Sequence, residues 1–280
     1  MKHIVGFSGG IDSQACARWV LNRFPAEDVI LLNSNAGGNE HPLTEEFIQQ
    51  YSAEVHPVIL VVALVKDIQR PMSDERLSKW GVGLESPLSF HIAAALQGRF
   101  PARHMQFCTE ALKLNPQKRW IKENIADEEF IRYSGVRREE SHARRNRQPI
   151  EFDDFFDCEL RNPIVDWTKQ MCFDFVRFHK EPINHLYSLG FGRVGCAPCI
   201  NSGKEDIRRW ADRFPEMIDK VRLWEQQVGK TFFAPCVPGK PINWIDEVVE
   251  WSRTDRGGRQ FNILNTLERP SCESKFGLCE

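Results

Sequence analysis

An α/β protein with a doubly wound, mainly parallel sheet is the fold class this sequence predicts, and three observations carry the prediction. Short apolar runs recur along the first third of the chain: Ile4, Val5 and Phe7, then Val29–Leu32, then Val58–Val62. Segments with helical apolar spacing separate them, the alternation that builds parallel sheets through crossover helices. The first run stops at Gly9-Gly10 and passes straight into the helical positions Ala15, Trp19, Val20 and Phe24. Residues 1–190 are expected to form this α/β domain, and residues 191–280 a helical C-terminal segment carrying cysteines.

The first strand and its turn are the best-marked feature. A strand, a glycine turn and a helix N-terminus expose backbone N–H groups at the positive end of a helix dipole, a place suited to phosphate. Ser8, Gly9, Gly10 and Ser13 add hydroxyls and remove bulk, while Asp12 and Ser13 read as helix starters. Without a ligand the same pattern would be an ordinary strand-to-helix turn. A Gly-Lys-Thr at Gly229–Thr231 is discarded as a Walker loop, because Trp224 stands where that motif requires Gly.

The second strand ends in Asn33-Ser34-Asn35-Ala36-Gly37-Gly38. Ligands of open α/β sheets gather at the carboxyl ends of strands, so Asn33 and Asn35 are candidates to hold adenine or ribose; a ligand-free turn is the alternative. Pro42 and Thr44-Glu45-Glu46 open the next helix, and Val58–Val62 is a third strand. Ser89–Leu96 reads as a short helix, and Met72–Glu85 as a flap over the site. Asn115-Pro116 opens a helix through Ile121, and Phe130–Tyr133 is a further strand. Past its end lie Arg137, Arg138, Arg144, Arg145 and Arg147, five arginines that form either a bidentate anion clamp or a solvated charged helix. Helices are then expected through Phe175–Phe178 and over about 204–212, 215–228 and 243–251.

The composition narrows the class. With 41% hydrophobic and 27% charged residues the chain can bury a full core, and a net charge of -2 excludes a uniformly basic nucleic-acid coat while leaving room for a local patch. No apolar run approaches the roughly 20 residues that cross a bilayer, and no signal-peptide pattern precedes the first strand, so a cytoplasmic address without membrane contact is expected. Nine cysteines in such a protein point to metal, redox or catalytic use. Cys16, Cys158 and Cys172 sit among apolar neighbours and read as core.

Cys196 and Cys199 form a C-x-x-C flanked by Gly195 and Pro198. That spacing lets two thiolates face one metal, whereas tetrahedral zinc or an iron–sulfur cluster wants four. Cys108, 88 residues before Cys196, and Cys272 or Cys279 would complete the set. An iron–sulfur cluster, zinc and metal-free thiol chemistry all stay open on the residues alone.

The run Ser8–Ser13 reads Ser-Gly-Gly-Ile-Asp-Ser and resembles the pyrophosphate-binding loop of the PP-loop ATP pyrophosphatases. The ordered set of that loop, Cys108 with Lys113 and Pro116, Gly135-Val136-Arg137-Arg138 with Ser141, Pro163–Trp167 and Gly195–Cys199 resembles the phosphoadenosine-phosphosulfate reductase family in the broad sense. The resemblance covers most of residues 1–230 and implies an adenine-nucleotide α-hydrolase-like fold. It also implies a [4Fe-4S] cluster, with Lys113 beside it and Arg137, Arg138 and Arg144 near the substrate anion; Cys108, Cys196, Cys199 and Cys272 are its candidate ligands, with Cys279 as the alternative to Cys272. ATP with Mg²⁺ would be held by Ser8, Gly9, Gly10, Ile11, Asp12 and Ser13.

Two departures separate the chain from the sulfate-assimilation reductases of that family. Its loop is the intact ATP-cleaving form, and Thr109 follows Cys108 where those reductases carry a second cysteine. The combination is similar to the members associated with DNA phosphorothioation, of the DndC and SspD type. The resemblance then implies adenylation of an acceptor followed by sulfur incorporation, with Cys279 as a nucleophile on the tail. A nucleic-acid acceptor brought by partner proteins, a sulfur donor such as a cysteine desulfurase and a homo-oligomer are the expected partners. A sulfonucleotide reductase and a non-catalytic nucleotide-binding scaffold with a zinc clip are the alternatives.

Overall fold

The structure, a computed structural model, describes residues 1–102, 105–125, 128–233 and 242–254. In chain order it runs β1 (Lys2–Gly6), α1 (Ile11–Leu21), β2 (Val29–Asn33), α2 (Pro42–Glu54), β3 (Val58–Leu60), α3 (Asp74–Lys79) and α4 (Phe90–Gln97). Then come α5 (Phe107–Thr109), a π-helical turn Glu110–Leu114, α6 (Asn115–Asn124), β4 (Phe130–Tyr133), β5 (Ile150–Asp153) and β6 (Cys158–Arg161). Helices α7 (Lys169–Phe178), α8 (Lys204–Arg213), α9 (Pro215–Val228) and α10 (Ile245–Ser252) follow.

One sheet of order β3-β2-β1-β4-β6-β5 forms the centre, parallel throughout except for the antiparallel pair β5–β6. Alternation along each strand loads both faces. Val5, Phe7 and Leu31 pack with Ala15, Phe47 and Val176 on the face covered by α1, α2 and α7, whereas Ile4 and Leu32 pack with Ile121 and Ile125 on the face covered by α6. The central strands β1 and β2 are therefore buried on both sides, which is why they read as near-continuous apolar runs. A third cluster joins Ala63–Leu112 to the C-terminal helices through Phe90, Trp210, Trp224 and Phe232. No helix among the described residues is long and apolar enough to cross a membrane.

Several local expectations give way. The third strand ends at Leu60, since Arg119 caps the carbonyl of Val62 and Leu64 pairs with Pro87 instead of extending the ladder. The flap expected at Met72–Glu85 holds α3, capped by Ser73, and Leu77 anchors it in the core. The hairpin β5–β6 went unread because Ile150-Glu151-Phe152-Asp153 and Cys158-Glu159-Leu160-Arg161 each alternate over only four residues. Cys16, Cys158 and Cys172 are buried core residues, as expected.

Candidate functional site

The loop after β1 folds on its own hydroxyls. The Ser13 hydroxyl donates to the Gly10 carbonyl at 2.8 Å and accepts the Ser8 amide at 3.2 Å, and the Ser8 hydroxyl lies 3.1 Å from it. Gly10, not Asp12 or Ser13, takes the N-cap position of α1, so both of those side chains sit inside the first turn and are buried. Gly9 needs to be glycine: its φ is +80°, and a Cβ there would sit 3.0 Å from Thr44 Cγ2.

Strand order reverses between β1 and β4, with β2 on one side of β1 and β4 on the other. Such a switch point opens a crevice at the carboxyl ends of the strands, where doubly wound sheets bind their ligands. Here the loops after β1 and β4 touch. A Cβ on Gly135 would come within 2.7 Å of the Asp12 carbonyl oxygen, so only glycine lets the β4 loop pass the first turn of α1. Two residues on, Arg137 Nε lies 2.8 Å from Asp12 Oδ2, and its Nη1 lies 3.2 Å from Glu139. Asp12 Oδ1 is buried and accepts no hydrogen bond. A buried carboxylate oxygen of this kind fits a Mg²⁺ ion, which takes one or two carboxylates together with nucleotide phosphates.

The remaining arginines form neither a solvated helix nor an open fan. Residues 138–140 and 142–144 are two short 3₁₀ turns. Within them Arg144 is 1% exposed and pairs with Glu140, while the half-buried Arg138 pairs with Asp166. Arg138, Arg144 and Arg147 are thus each held by a carboxylate of their own chain, the last by Glu151, whereas Arg145 is exposed. Asn33 and Asn35 are likewise engaged: Asn33 donates to the Phe7 carbonyl at 2.8 Å, and Asn35 donates to Glu45 at 2.7 Å and accepts from the Gly38 amide.

The end of β2 leads to the cysteines. Glu40 forms an isolated antiparallel bridge with Cys196, the Ala197 amide donates to the Asn39 carbonyl at 2.8 Å, and Asn39 donates to the Pro198 carbonyl. Cys196 and Cys199 face one another, and a hydrogen bond between them, together with burial, holds the Cys196 thiol well above its ordinary range. Lys113, on the π-helical turn, is buried with its ammonium 4.0 Å from the Glu40 carboxylate, and it also acts electrostatically on Cys196. Burial pushes the Glu40 carboxyl up to about 7, with Lys113 opposing. Arg193, Ser202, Asp206 and Trp210 complete the lining around the two thiols.

The predicted residues therefore fall into two groups. Asp12 meets Arg137 at the switch point, and Lys113 lies within electrostatic reach of Cys196, which faces Cys199. Cys108 lies half-buried on α5, five residues before Lys113, and packs against the same core as Ala197. Cys272 and Cys279 lie outside the described residues. Among the described residues no group of three or more metal-ligating side chains occurs; the paired thiols supply two of the four ligands that zinc or a cluster requires. Sequence reasoning missed Glu40, although the His41-Pro42 helix start beside it is legible, and missed Asn184 and Tyr187, which no motif marks.

Comparisons with known proteins give the chain's family. The sequence profile of the phosphoadenosine phosphosulfate reductase domain matches residues 2–202. A protein of Escherichia phage 186, described as an uncharacterized 37.8 kDa protein in the gpa 5' region, is 30% identical over 331 aligned residues, covering 99% of this chain and 96% of its own. The adenosine 5'-phosphosulfate reductase of Allochromatium vinosum is 36% identical over 121 residues, which cover 41% of this chain and 44% of that protein. Among solved structures, the phosphoadenylyl-sulfate reductase of Candida auris in a phosphate complex superposes with a TM-score of 0.47 at 16% identity, covering 70% of this chain and 81% of that one. With the profile matched from β1 to just past the cysteine pair, over most of the chain, the chain belongs to the phosphoadenosine phosphosulfate reductase domain family.

Proposed function

We propose that the chain is an ATP pyrophosphatase that adenylates an oxygen of its acceptor so that sulfur can replace it. The observation that carries this reading is the intact Ser8–Ser13 loop with Asp12 and Arg137 paired across the switch point. In the reaction the acceptor oxygen attacks the α-phosphorus of ATP and pyrophosphate leaves. A donor sulfur then attacks the activated centre and displaces AMP. Chemistry of this kind is mostly positioning and charge neutralisation.

The roles follow from the residues present. Ser8, Gly9, Gly10, Ile11 and Ser13 hold the β- and γ-phosphates, and Asp12 offers an oxygen to Mg²⁺, which supplies charge neutralisation on the phosphates. Arg137, Arg138 and Arg144 steady the α-phosphate and acceptor, with Asn33 and Asn35 keeping the adenine side of the crevice in shape. Cys196 and Cys199, with Cys108 and Cys272, would hold a [4Fe-4S] cluster, or zinc, beside Lys113; Cys279 would act as a thiolate in sulfur transfer. The acceptor in this reading is nucleic acid, as in DNA phosphorothioation, presented by partner proteins and supplied with sulfur by a cysteine desulfurase.

The test is pyrophosphate release from ATP with DNA or tRNA, a desulfurase and cysteine present. Wild-type protein releases pyrophosphate in step with sulfur incorporation, and Asp12→Ala does not. Release that survives Asp12→Ala contradicts the assignment.

A second reading, a sulfonucleotide reductase, is favoured by one observation: relatives that match part of this chain are named adenosine 5'-phosphosulfate reductases. In it Cys272 or Cys279 attacks the sulfur of a bound adenylylsulfate. The two readings differ in the nucleotide that the loop accepts.

A further inference from the structure

The segment that follows α7 touches the nucleotide loop twice before it reaches the cysteines. The Ile11 amide, the first of α1, donates to the Tyr187 hydroxyl at 2.9 Å. The Asn184 side-chain amide donates to the Gly9 carbonyl at 3.3 Å and to the Thr44 hydroxyl at 3.1 Å. The Thr44 hydroxyl in turn donates a hydrogen bond to the Val194 carbonyl at 2.8 Å, two residues before Cys196. Gly9 has no slack against this run, since even a Cβ there would meet Thr44 Cγ2 at 3.0 Å. Asn184 and Thr44 are each 0–1% exposed, so these bonds run through dry protein, where a lost partner is costly and a displaced one is felt by its neighbour.

The far end of the segment is equally fixed. Lys169 bonds the Gly192 carbonyl while its ammonium stands 5.2 Å from the Tyr187 ring centroid. Ala197 and Pro198 are tied to Asn39, and Cys196 to Glu40, through the backbone contacts of the cysteine site. One polar chain, Gly9–Asn184–Thr44–Val194, therefore joins the phosphate loop to the thiol pair, with Tyr187 as a second fastening. Beyond Gly9, which belongs to the loop itself, none of its members carries the chemistry of either site.

We propose that Asn184, Tyr187 and Thr44 are positioning residues, a clasp that sets the phosphate loop and transmits its occupancy to the Cys196–Cys199 pair. The inference rests on the nucleotide reading of the loop given above. Physically, an anion drawn to the amides at the start of α1 competes with the Tyr187 hydroxyl for the Ile11 N–H. The bond shifts, and the Asn184–Thr44–Val194 run moves with it. Coupling of this kind requires a shared element whose arrangement both sites bias; residues 184–199 are that element.

Hydrogen–deuterium exchange of the full-length protein as purified, with and without ATP and Mg²⁺, tests the clasp. In wild type, ATP slows exchange several-fold at residues 8–13 and also changes it at 193–200. Tyr187→Phe keeps the ring and removes the hydroxyl, and Thr44→Val is a near-isosteric loss of the donor to Val194. In both, protection at 8–13 persists and the change at 193–200 is lost, a split that a merely structural defect would not produce. A wild-type response confined to residues 8–13, or one at 193–200 that survives both substitutions, overturns the clasp while leaving the nucleotide reading intact. Absence of protection at 8–13 in wild type instead removes the nucleotide reading, and the clasp falls with it.

Discussion

The Arg137 guanidinium sits 2.8 Å from the Asp12 carboxylate, both side chains all but buried, and their contact ties together the loops after β1 and β4. It joins the phosphate loop to the arginine segment without any bulky side chain between them, because Gly135 lets the two backbones meet. The pair is the part of the site most open to a quantitative test.

Breaking a buried ion pair by removing one partner costs about 3–5 kcal/mol, because the other charge is left buried and unpaired. Arg137→Ala is therefore expected to lower the thermal unfolding midpoint by roughly 10 °C. Asp12→Asn combined with Arg137→Gln recovers most of that loss but not nucleotide binding. Differential scanning calorimetry and ATP titration on the three proteins check this; an Arg137→Ala midpoint within 2 °C of wild type, about the effect of 1 kcal/mol or less, contradicts it.

Gly135→Ala puts a Cβ where the Asp12 carbonyl oxygen and the Ser13 amide already stand, at 2.7 and 2.9 Å. Overpacking of this sort costs about 1–3 kcal/mol. The expected result is a midpoint lower by several degrees and ATP affinity reduced at least tenfold, since the loop itself must shift. Unchanged affinity would show that the approach of the two loops does not shape the nucleotide site.

How much of this was legible depends on the range of each interaction. The loop Ser8–Ser13, four of the five parallel strands and most helices follow from local patterns, and the family resemblance follows from motif order. The destination of each arginine was not legible: that Arg144 would turn inward to Glu140 and Arg138 to Asp166 depends on where two 3₁₀ turns place them. Asn33 and Asn35 looked like ligand contacts and are engaged by Phe7 and Glu45, because a strand end beside a neighbouring strand has its own backbone groups to satisfy. Glu40 is marked only by the isolated backbone bridge it forms with Cys196, a contact between residues 156 positions apart.

The cysteine site makes a separate prediction. Anaerobically purified protein is expected to contain about four irons and four sulfides per chain, with absorption near 400 nm in the region typical of such clusters. Cys196→Ser and Cys199→Ser each abolish this content, whereas Cys16→Ser, in the core between α1 and the sheet, leaves it intact. One zinc without sulfide would make the pair a structural clip.

Acid sensitivity follows from the buried His3 and the half-buried His91. Burial lowers the pKa of His3, which stacks on Phe24 and bonds Tyr133, and that of His91. Below the ordinary value of 6.5 the unfolded chain takes up protons that these native rings refuse. Stability contributed by them is thus complete above pH 6.5 and is lost as pH falls through their native values. Unfolding midpoints from pH 8 to pH 5 should decline, and His3→Gln should flatten the decline; an identical slope in the variant would assign the acid loss to other groups.

The central claim is that the Ser8–Ser13 loop accepts an intact triphosphate. Calorimetric titration of the full-length protein with ATP and Mg²⁺, and separately with adenylylsulfate, tests it most directly. The account predicts at least tenfold tighter binding of ATP, reduced at least tenfold by Asp12→Ala. Tighter binding of adenylylsulfate than of ATP, indifferent to Asp12→Ala, would contradict it and make the chain a sulfonucleotide reductase.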